Sequence, residues 1–260
     1  MEFLRTAERA ALHVSVSQVR TFLGCAKRYE YRYVLGAKPE HRSPNLVLGS
    51  AVHEALAAYY LALKAEQQPE GADVLAAYSK AFDHATSGEL PMLLDEDETL
   101  ADIKASGVAL VQAFLAGVQR PDRVLAVEEA FSADIIDPVT GEFLEEGLTG
   151  YFDAIVEIGN EIVILEHKTA ARAWSQDQVD FDLQVSLYQA VIDADRVRLQ
   201  VMTKTKVAKF LTYDVCRTQR QQVEAVTIVC RVLDAIRARA FWPNPGWACR
   251  DCEFRVRCRG

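Results

Sequence analysis

The hydrophobic pattern divides the chain into a helical first part and a strand-rich second part. Up to about residue 120, apolar side chains recur at the spacing of amphipathic helices, after a short alternating strand at residues 13–17. Ser17 is placed to cap the first of these helices, and Gly49 opens the second. Residues 61–120 then predict acidic, alanine-rich helices that Pro91 interrupts.

The second part alternates between segments rich in β-branched residues and two helices. Gly159 and Asn160 separate two of these segments and form a typical two-residue hairpin turn. Helices are predicted at residues 180–193 and 217–240. The predicted strands are residues 124–131, 149–158, 161–165, 197–203 and 209–215. The sequence therefore predicts an α/β protein in which a helical section precedes the sheet.

The hairpin turn decides which side chains of its two strands face each other. If Ile158 pairs with Glu161, Asp153 lies directly opposite Glu166, and Lys168 shares the face of Glu166. Opposed carboxylates among apolar neighbours repel each other, and a divalent cation between them removes the repulsion. Oxygen ligands suit Mg²⁺ or Mn²⁺, and Lys168 could then hold or deprotonate a water molecule. The competing interpretation is an exposed strand on which Lys168 simply neutralises Glu166.

Three cysteines lie close together near the end of the chain, at Cys249, Cys252 and Cys258. Thiolates at this spacing repel one another and oxidise easily, so a bound metal is the simplest explanation. A fourth ligand must come from elsewhere, and Cys25 is the candidate. Four thiolates suit tetrahedral zinc or a [4Fe–4S] cluster, and spacing alone favours zinc.

Composition and charge restrict the class of protein. Of 260 residues, half are hydrophobic and a quarter are charged, which is ordinary for a globular protein. No apolar run approaches the roughly 18 residues of a membrane span, so a cytoplasmic protein without a membrane partner and without disulfides is expected. The net charge of −8 argues against nucleic acid, yet residues 216–260 carry nine arginines against four acids. Local charge is what meets a phosphate backbone, although a solvated arginine-rich helix would show the same excess.

Five segments, taken in order, resemble the PD-(D/E)XK nuclease superfamily in its RecB/AddB-like branch, which includes the CRISPR-associated adaptation nuclease. They are SVSQVRTFLGCAKRYEYRYVLG (15–36), LGSAVHEALAAYY (48–60), GYFDAIVEIGNEIVILEHKTA (150–170), LQVSLYQAV (183–191) and FWPNPGWACRDCEFRVRC (241–258). The resemblance implies a restriction-endonuclease-like mixed central sheet flanked by helices. It also implies one domain over residues 1–260, with a helical insertion at 61–120 and a tail at 241–260 that pairs with Cys25.

The resemblance assigns roles to residues that indicate little on their own. The metal ligands would be His53, Asp153, Glu166 and the backbone carbonyl of His167. Lys168 would be the catalytic lysine, and Gln184 and Tyr188 would contact DNA near the scissile phosphate or support the site. The four cysteines would hold a [4Fe–4S] cluster, with zinc as the alternative.

The expected function is hydrolysis of phosphodiester bonds in DNA, by an exonuclease that uses Mg²⁺ or Mn²⁺ and acts on single strands or free ends. The sequence has no G-x-x-x-x-G-K-[ST] loop, so a helicase or CRISPR-adaptation partner would act in trans. Recombination and repair, CRISPR adaptation and phage DNA processing remain open. The alternatives are a non-catalytic DNA-binding module on the same fold and a zinc-stapled interaction protein.

Overall fold

A mixed sheet forms the centre of the computed structural model, which describes residues 4–6 and 12–260. The strands of this described part are β1 (Leu4–Thr6), β2 (Leu12–Ser15), β3 (Arg123–Ile136), β4 (Phe143–Ile158), β5 (Glu161–Ala170), β6 (Arg196–Thr203) and β7 (Lys209–Val215). Their order is β1-β3-β4-β5-β6-β7, and β2 pairs with the first part of β4. The β5–β6 and β2–β4 pairs are parallel and the others are antiparallel, which confirms the predicted mixed sheet.

Helices cover both faces of the sheet. They are α1 (Val16–Gly24), α2 (Ala26–Tyr29), α3 (Pro44–Lys64), α4 (Gly71–Thr86), α5 (Leu100–Gly117), α6 (Gln176–Asp180), α7 (Leu183–Val191), α8 (Gln219–Arg237) and α9 (Arg255–Arg259). A π-helical turn at Glu30–Val34 follows α2, and a short 3₁₀ turn lies at Trp247–Cys249. The helical and extended segments of the sequence are thus found in the predicted order.

Two hydrophobic clusters lie on opposite faces of the sheet. One contains buried residues of α1, α2, α6, α7 and α8, and the other contains those of α3, α4 and α5. Tyr78, Phe82, Leu110 and Phe114, all from the acidic region at 61–120, are almost completely buried in the second cluster. The predicted insertion therefore supplies much of the core on its face of the sheet.

Several helix boundaries differ from the predicted ones because local hydrogen bonds set them. Ser15, rather than Ser17, caps α1, and its side chain forms a reciprocal capping box with Gln18. The predicted continuous first helix is interrupted at Cys25, which adopts an extended conformation (φ −164°) while its amide still bonds to α1. Helix α3 begins at Pro44, five residues earlier than predicted, because proline fits the first turn of a helix.

The β4–β5 hairpin has the predicted register. Ile158 pairs with Glu161, and the antiparallel pairing continues as far as Ala154 and Leu165. Gly159 and Asn160 both adopt positive φ values, +59° and +68°, as a type I′ turn requires. The turn thus brings the strand segments that contain the candidate carboxylates side by side.

Two helices are longer and more apolar than expected. By length and composition alone, Pro44–Lys64 and Leu100–Gly117 could each cross a membrane. Both contribute buried side chains to the cluster on one face of the sheet. Core helices of globular proteins have the same composition, so this finding is weak evidence for a membrane.

Gly107 in α5 offers a test of the packing between α4 and α5. A Cβ atom at this position would lie 1.9 Å from the hydroxyl oxygen of Tyr78, which is fully buried. We expect Gly107→Ala to lower the free energy of unfolding by about 1–3 kcal/mol, because the core must shift to admit the methyl group. Urea denaturation measures the effect. Gly71→Ala is the control, since its Cβ would meet Leu115 at an ordinary 3.6 Å, and an equal loss in both variants would contradict the packing argument.

Candidate active site and cysteine cluster

A cleft of about 520 Å³ lies beside α3, where β4 and β5 diverge. Its lining includes His53 from α3, Glu128 from β3, and His167 and Lys168 from β5. Asp153 lies at the base of this region and is largely buried. The fold therefore collects polar side chains from three strands and a helix in one place.

The Asp153 carboxylate is held between α3 and β5. One of its oxygens lies 3.1 Å from Nδ1 of His53, and the other accepts a hydrogen bond of 2.6 Å from the backbone amide of His167. Burial opposes ionisation, but the hydrogen bond and charge of His53 outweigh it and lower the pKa of Asp153 to about 2. The same carboxylate raises the pKa of His53 against the effect of burial. Asp153 is therefore an anion at neutral pH.

Glu166 is buried and, among the residues that the structure describes, has only Lys168 as an ion-pair partner. Its Oε1 accepts a hydrogen bond of 2.5 Å from Lys168 Nζ, while its Oε2 is buried with no hydrogen-bond partner from the described residues. Burial raises the pKa of Glu166 to about 7, although Lys168 opposes this. An unpaired carboxylate oxygen in a buried position is costly, and a cation would remove that cost.

A chain of hydrogen bonds fixes the position of the Lys168 ammonium group. Besides bonding to Glu166, it donates to Gln184 Oε1 at 2.8 Å, and Gln184 Nε2 donates to the Tyr188 hydroxyl at 2.5 Å. That hydroxyl donates in turn to the backbone carbonyl of Tyr151 at 2.6 Å. The structure thus brings Lys168, Gln184 and Tyr188 together and ties them to β4.

Arg20 is a neighbour of this chain that the sequence did not single out. Its guanidinium donates to Gln184 Oε1 at 2.9 Å from the exposed face of α1. No carboxylate pairs with Arg20 in the part of the chain that the structure describes. Nothing in its local sequence separates it from other surface arginines, since the contact depends on how α1 packs near α7.

From the sequence alone, Glu128 and Glu129 on the strand before the hairpin could support the site, although surface charge is the favoured interpretation; the structure makes Glu128 a second functional candidate. The β3–β4 register places it opposite Asp153, and its backbone is left-handed (φ +49°). Ligand atoms of His53, Glu128 and Asp153 all lie within 4.8 Å of one another, which suits a metal ion. Partial burial, followed by the charge of Asp153, raises the pKa of Glu128. Because Glu166 lies on the next strand, three carboxylates occur in a row across β3, β4 and β5.

The His167 side chain is buried and packs among aromatic rings beside the site. Its ring stacks on Tyr60 with centroids 5.6 Å apart and lies edge-on to Phe114. Burial lowers the pKa of His167 to about 4, so the ring is neutral. This packing fixes the backbone of β5 at the site, while a role of the His167 carbonyl as a metal ligand remains a prediction.

The four candidate cysteines line one small cavity where the junction of α1 and α2 meets the C-terminal tail. Cys25, Cys249, Cys252 and Cys258 all contribute to its wall, together with Lys27, Arg28, Arg255 and Arg259. The amide of Asn244 lies 3.4 Å from the Cys25 sulfur and donates to it. The predicted helix at or beside the two remaining cysteines favours ordinary buried thiols; Cys230 is buried, but Cys216 is exposed. It follows the end of β7, where its sulfur bonds to the carbonyl of Asp195.

The region around this cavity is held by contacts that do not involve the cysteines. Buried Glu253 accepts hydrogen bonds from Arg28 in α2 and from Arg32 in the π-helical turn. Asn244 donates to the carbonyl of Gly24 at 3.0 Å, and the Lys27 amide donates to the carbonyl of Trp242 at 2.9 Å. The sulfur atoms are therefore presented by elements that are already packed together.

Comparisons with known proteins place this arrangement in context. A family model described as the PD-(D/E)XK nuclease superfamily matches residues 13–259. No curated protein matches the chain. A crystal structure of a "putative exonuclease" from Eubacterium rectale is similar over 95% of this chain and 88% of its own, with 15% identity and a TM-score of 0.55. A protein called SSO0001 is similar over 90% of this chain and 94% of its own, with 15% identity and a TM-score of 0.41.

Proposed function

The chain belongs to the PD-(D/E)XK nuclease superfamily, and on that basis we propose that Asp153, Glu166 and Lys168 form the active site of a metal-dependent deoxyribonuclease. One observation carries the proposal. The buried Glu166 has an unpartnered oxygen, and its other oxygen bonds to a lysine that lines an open cleft. A strand that needed only charge neutralisation would not bury the carboxylate and leave half of it unsatisfied.

The donor set fits a hard divalent cation. Carboxylate oxygens with one imidazole nitrogen suit Mg²⁺ or Mn²⁺, and we assign His53, Asp153 and Glu166 as ligands, with the carbonyl of His167. Glu128 is an additional ligand by its position. The cation would polarise the scissile phosphate and lower the pKa of the attacking water.

The other residues act on the substrate and on water. Lys168 is fixed by Glu166 and Gln184, so its ammonium can donate to the attacking water or to a phosphate oxygen in the cleft without first reorganising. Gln184 and Tyr188 are positioning residues, because their hydrogen bonds reach the cleft only through Lys168. Arg20, beside Gln184, supplies a positive charge for the DNA strand.

We also propose that Cys25, Cys249, Cys252 and Cys258 hold a [4Fe–4S] cluster. All four thiols line one small cavity, and four thiolates suit either a [4Fe–4S] cluster or tetrahedral zinc. The pattern of one early and three late cysteines, as in the related nucleases, favours the cluster.

Single-stranded DNA or DNA ends are the proposed substrate, in a cytoplasmic protein that acts with a helicase or an adaptation partner in trans. The similar fold of the "putative exonuclease" supports action from an end. The local arginine excess of residues 216–260 supports a polyanionic partner in spite of the net charge of −8. Recombination and repair, CRISPR adaptation and phage DNA processing remain open as pathways.

The proposed function is tested by a nuclease assay on end-labelled single- and double-stranded DNA. Protein purified anaerobically is compared with Lys168→Ala in the presence of Mg²⁺, Mn²⁺ or EDTA. We expect cleavage that needs the metal and disappears in the variant, and the product ladder gives the polarity. If a folded, brown wild-type protein leaves both substrates intact with both metals, the catalytic assignment is wrong and a DNA-binding module replaces it.

Glu128 gives a prediction specific to this chain. We expect Glu128→Gln to raise the Mn²⁺ concentration for half-maximal cleavage by about 10- to 100-fold, because a neutral amide is a weaker ligand. Glu54→Gln is the matched control, since Glu54 lines the same cleft but is not part of the three-residue group. Identical metal titrations for Glu128→Gln and the wild type would show that Glu128 is not a ligand.

A further inference from the structure

A further pocket lies on the surface of the cysteine-rich tail. It measures about 650 Å³ and is lined by Pro245, Gly246, Trp247, Cys249, Arg250, Arg255 and Arg259. We refer to it as the tail pocket. It shares Cys249, Arg255 and Arg259 with the wall of the cysteine cavity, but none of its residues lines the cleft that contains Lys168.

The charges at the tail pocket are not neutralised by the nearby acids. Glu253 is buried and forms ion pairs with Arg28 and Arg32. Asp251 forms an ion pair with Arg250. Arg255 and Arg259 form no ion pair within the described part of the chain, and Arg255 makes only a long hydrogen bond of 3.4 Å to a backbone carbonyl. Two cations therefore remain available to an anion in a protein whose net charge is −8.

Trp247 is the most exposed large apolar residue of the described chain, with 89% of its surface accessible. Trp242, only five residues earlier, packs edge-on against Phe22 with ring centroids 5.8 Å apart. Trp247 makes no comparable ring contact among the described residues. An accessible indole beside free arginines is the combination that binds single-stranded nucleic acid, by stacking of a base and contact with its phosphates.

We propose that the tail pocket binds a single DNA strand, with a base stacked on Trp247 and adjacent phosphates on Arg255 and Arg259. This proposal rests on the proposed function, because the tail pocket would give the nuclease a second DNA-binding site outside its cleft. An unpaired base is required, since the bases of a duplex are already stacked on each other. The 3₁₀ turn at Trp247–Cys249 contains both the indole and a proposed cluster ligand, so the cluster would also hold this surface in position.

Binding is measured by fluorescence anisotropy of a labelled oligothymidylate, without divalent metal, in the cluster-loaded Lys168→Ala protein so that no cleavage occurs. Trp247→Ala is expected to weaken binding about five-fold or more, with an unchanged salt dependence. Arg255→Gln combined with Arg259→Gln should flatten the slope of log K against log salt by about 1.4, because two phosphate contacts are lost. Arg220→Gln is the control for loss of an exposed charge outside the pocket, since its side chain on α8 is 88% exposed. Absorbance of the cluster and thermal melts show that each variant is folded.

The possible outcomes separate this inference from the proposed function. If Trp247→Ala and the double arginine variant bind the oligonucleotide as Arg220→Gln does, the tail pocket is not a DNA site, whatever the nuclease assay shows. If these variants lose polyglutamate binding as strongly as DNA binding, the pocket recognises an acidic protein, and the inference is overturned. If the variants lose DNA binding but not polyglutamate binding while the wild type cleaves no DNA, the tail pocket is a DNA-binding site and the proposed catalytic function is wrong.

Discussion

Replacing Asp153 with asparagine is expected to lower the rate of DNA cleavage by about 100- to 1000-fold, the effect of removing one preorganised electrostatic group from an active site. Asparagine keeps an oxygen that can accept the His167 amide, so the end of the hairpin retains its shape. It cannot supply the negative charge that pairs with His53 and that a divalent cation needs. The loss should therefore appear both in the cleavage rate at saturating substrate and in Mn²⁺ binding measured by calorimetry.

Asp122→Asn is the matched control for this experiment. Asp122 also accepts a backbone amide hydrogen bond, from Gly159 at 2.7 Å, but it is exposed and lies outside the cleft. We expect this variant to cleave DNA and bind Mn²⁺ as the wild type does. If Asp153→Asn also keeps both properties, Asp153 is a structural residue of the hairpin and the metal site lies elsewhere.

Replacing Cys25 with serine is expected to remove the brown colour and to destabilise the protein strongly. The proposed ligands Cys25 and Cys249 are 224 residues apart, and closing a loop of that length would stabilise by about 5 kcal/mol in the chain-entropy description. For a chain of this size the loss corresponds to a fall in Tm on the order of 10 °C. Visible absorbance, iron content and thermal melting under anaerobic conditions measure the effect.

Cys216→Ser is the control for cysteine removal in general. Cys216 is exposed and bonds only to a carbonyl, which a serine hydroxyl can also do. It should keep the colour and the Tm of the wild type. A colourless wild-type protein that contains one zinc ion would refute the iron–sulfur assignment, and an unchanged Tm in Cys25→Ser would show that packing alone holds the two ends together.

The hairpin was predictable because local chemistry determines it. Only residues that tolerate positive φ form a two-residue I′ turn, and Gly159 and Asn160 do so. Once the turn is placed, the register follows by counting, and Asp153 and Glu166 are brought to the same end of the strands. The alternation of apolar residues predicted most strands, although β3, β4 and β5 are longer than the apolar segments that indicated them.

Features that depend on distant packing were not predictable in the same way. Glu128 resembles any exposed acid of a strand, and only the pairing of β3 with β4 brings it to Asp153. The contact of Arg20 with Gln184 requires two helices to meet whose contacting residues are 164 positions apart in the sequence. The interruption of the first helix at Cys25 has no strong local signal in the sequence beyond Gly24. Its role becomes apparent only when the tail that packs beside Cys25 is taken into account.

The position of β5 inside the sheet has a consequence for how the enzyme would gain and lose its metal. This strand is bracketed by β4 and β6, and its residues from Val163 to His167 are buried. Amides in such a strand exchange with solvent only when most of the domain opens, so β5 should rank among the most slowly exchanging segments. The metal site would then stay folded when the cation is removed. Protein treated with a chelator should recover its DNA cleavage activity within the mixing time once the cation is added back, with no refolding lag.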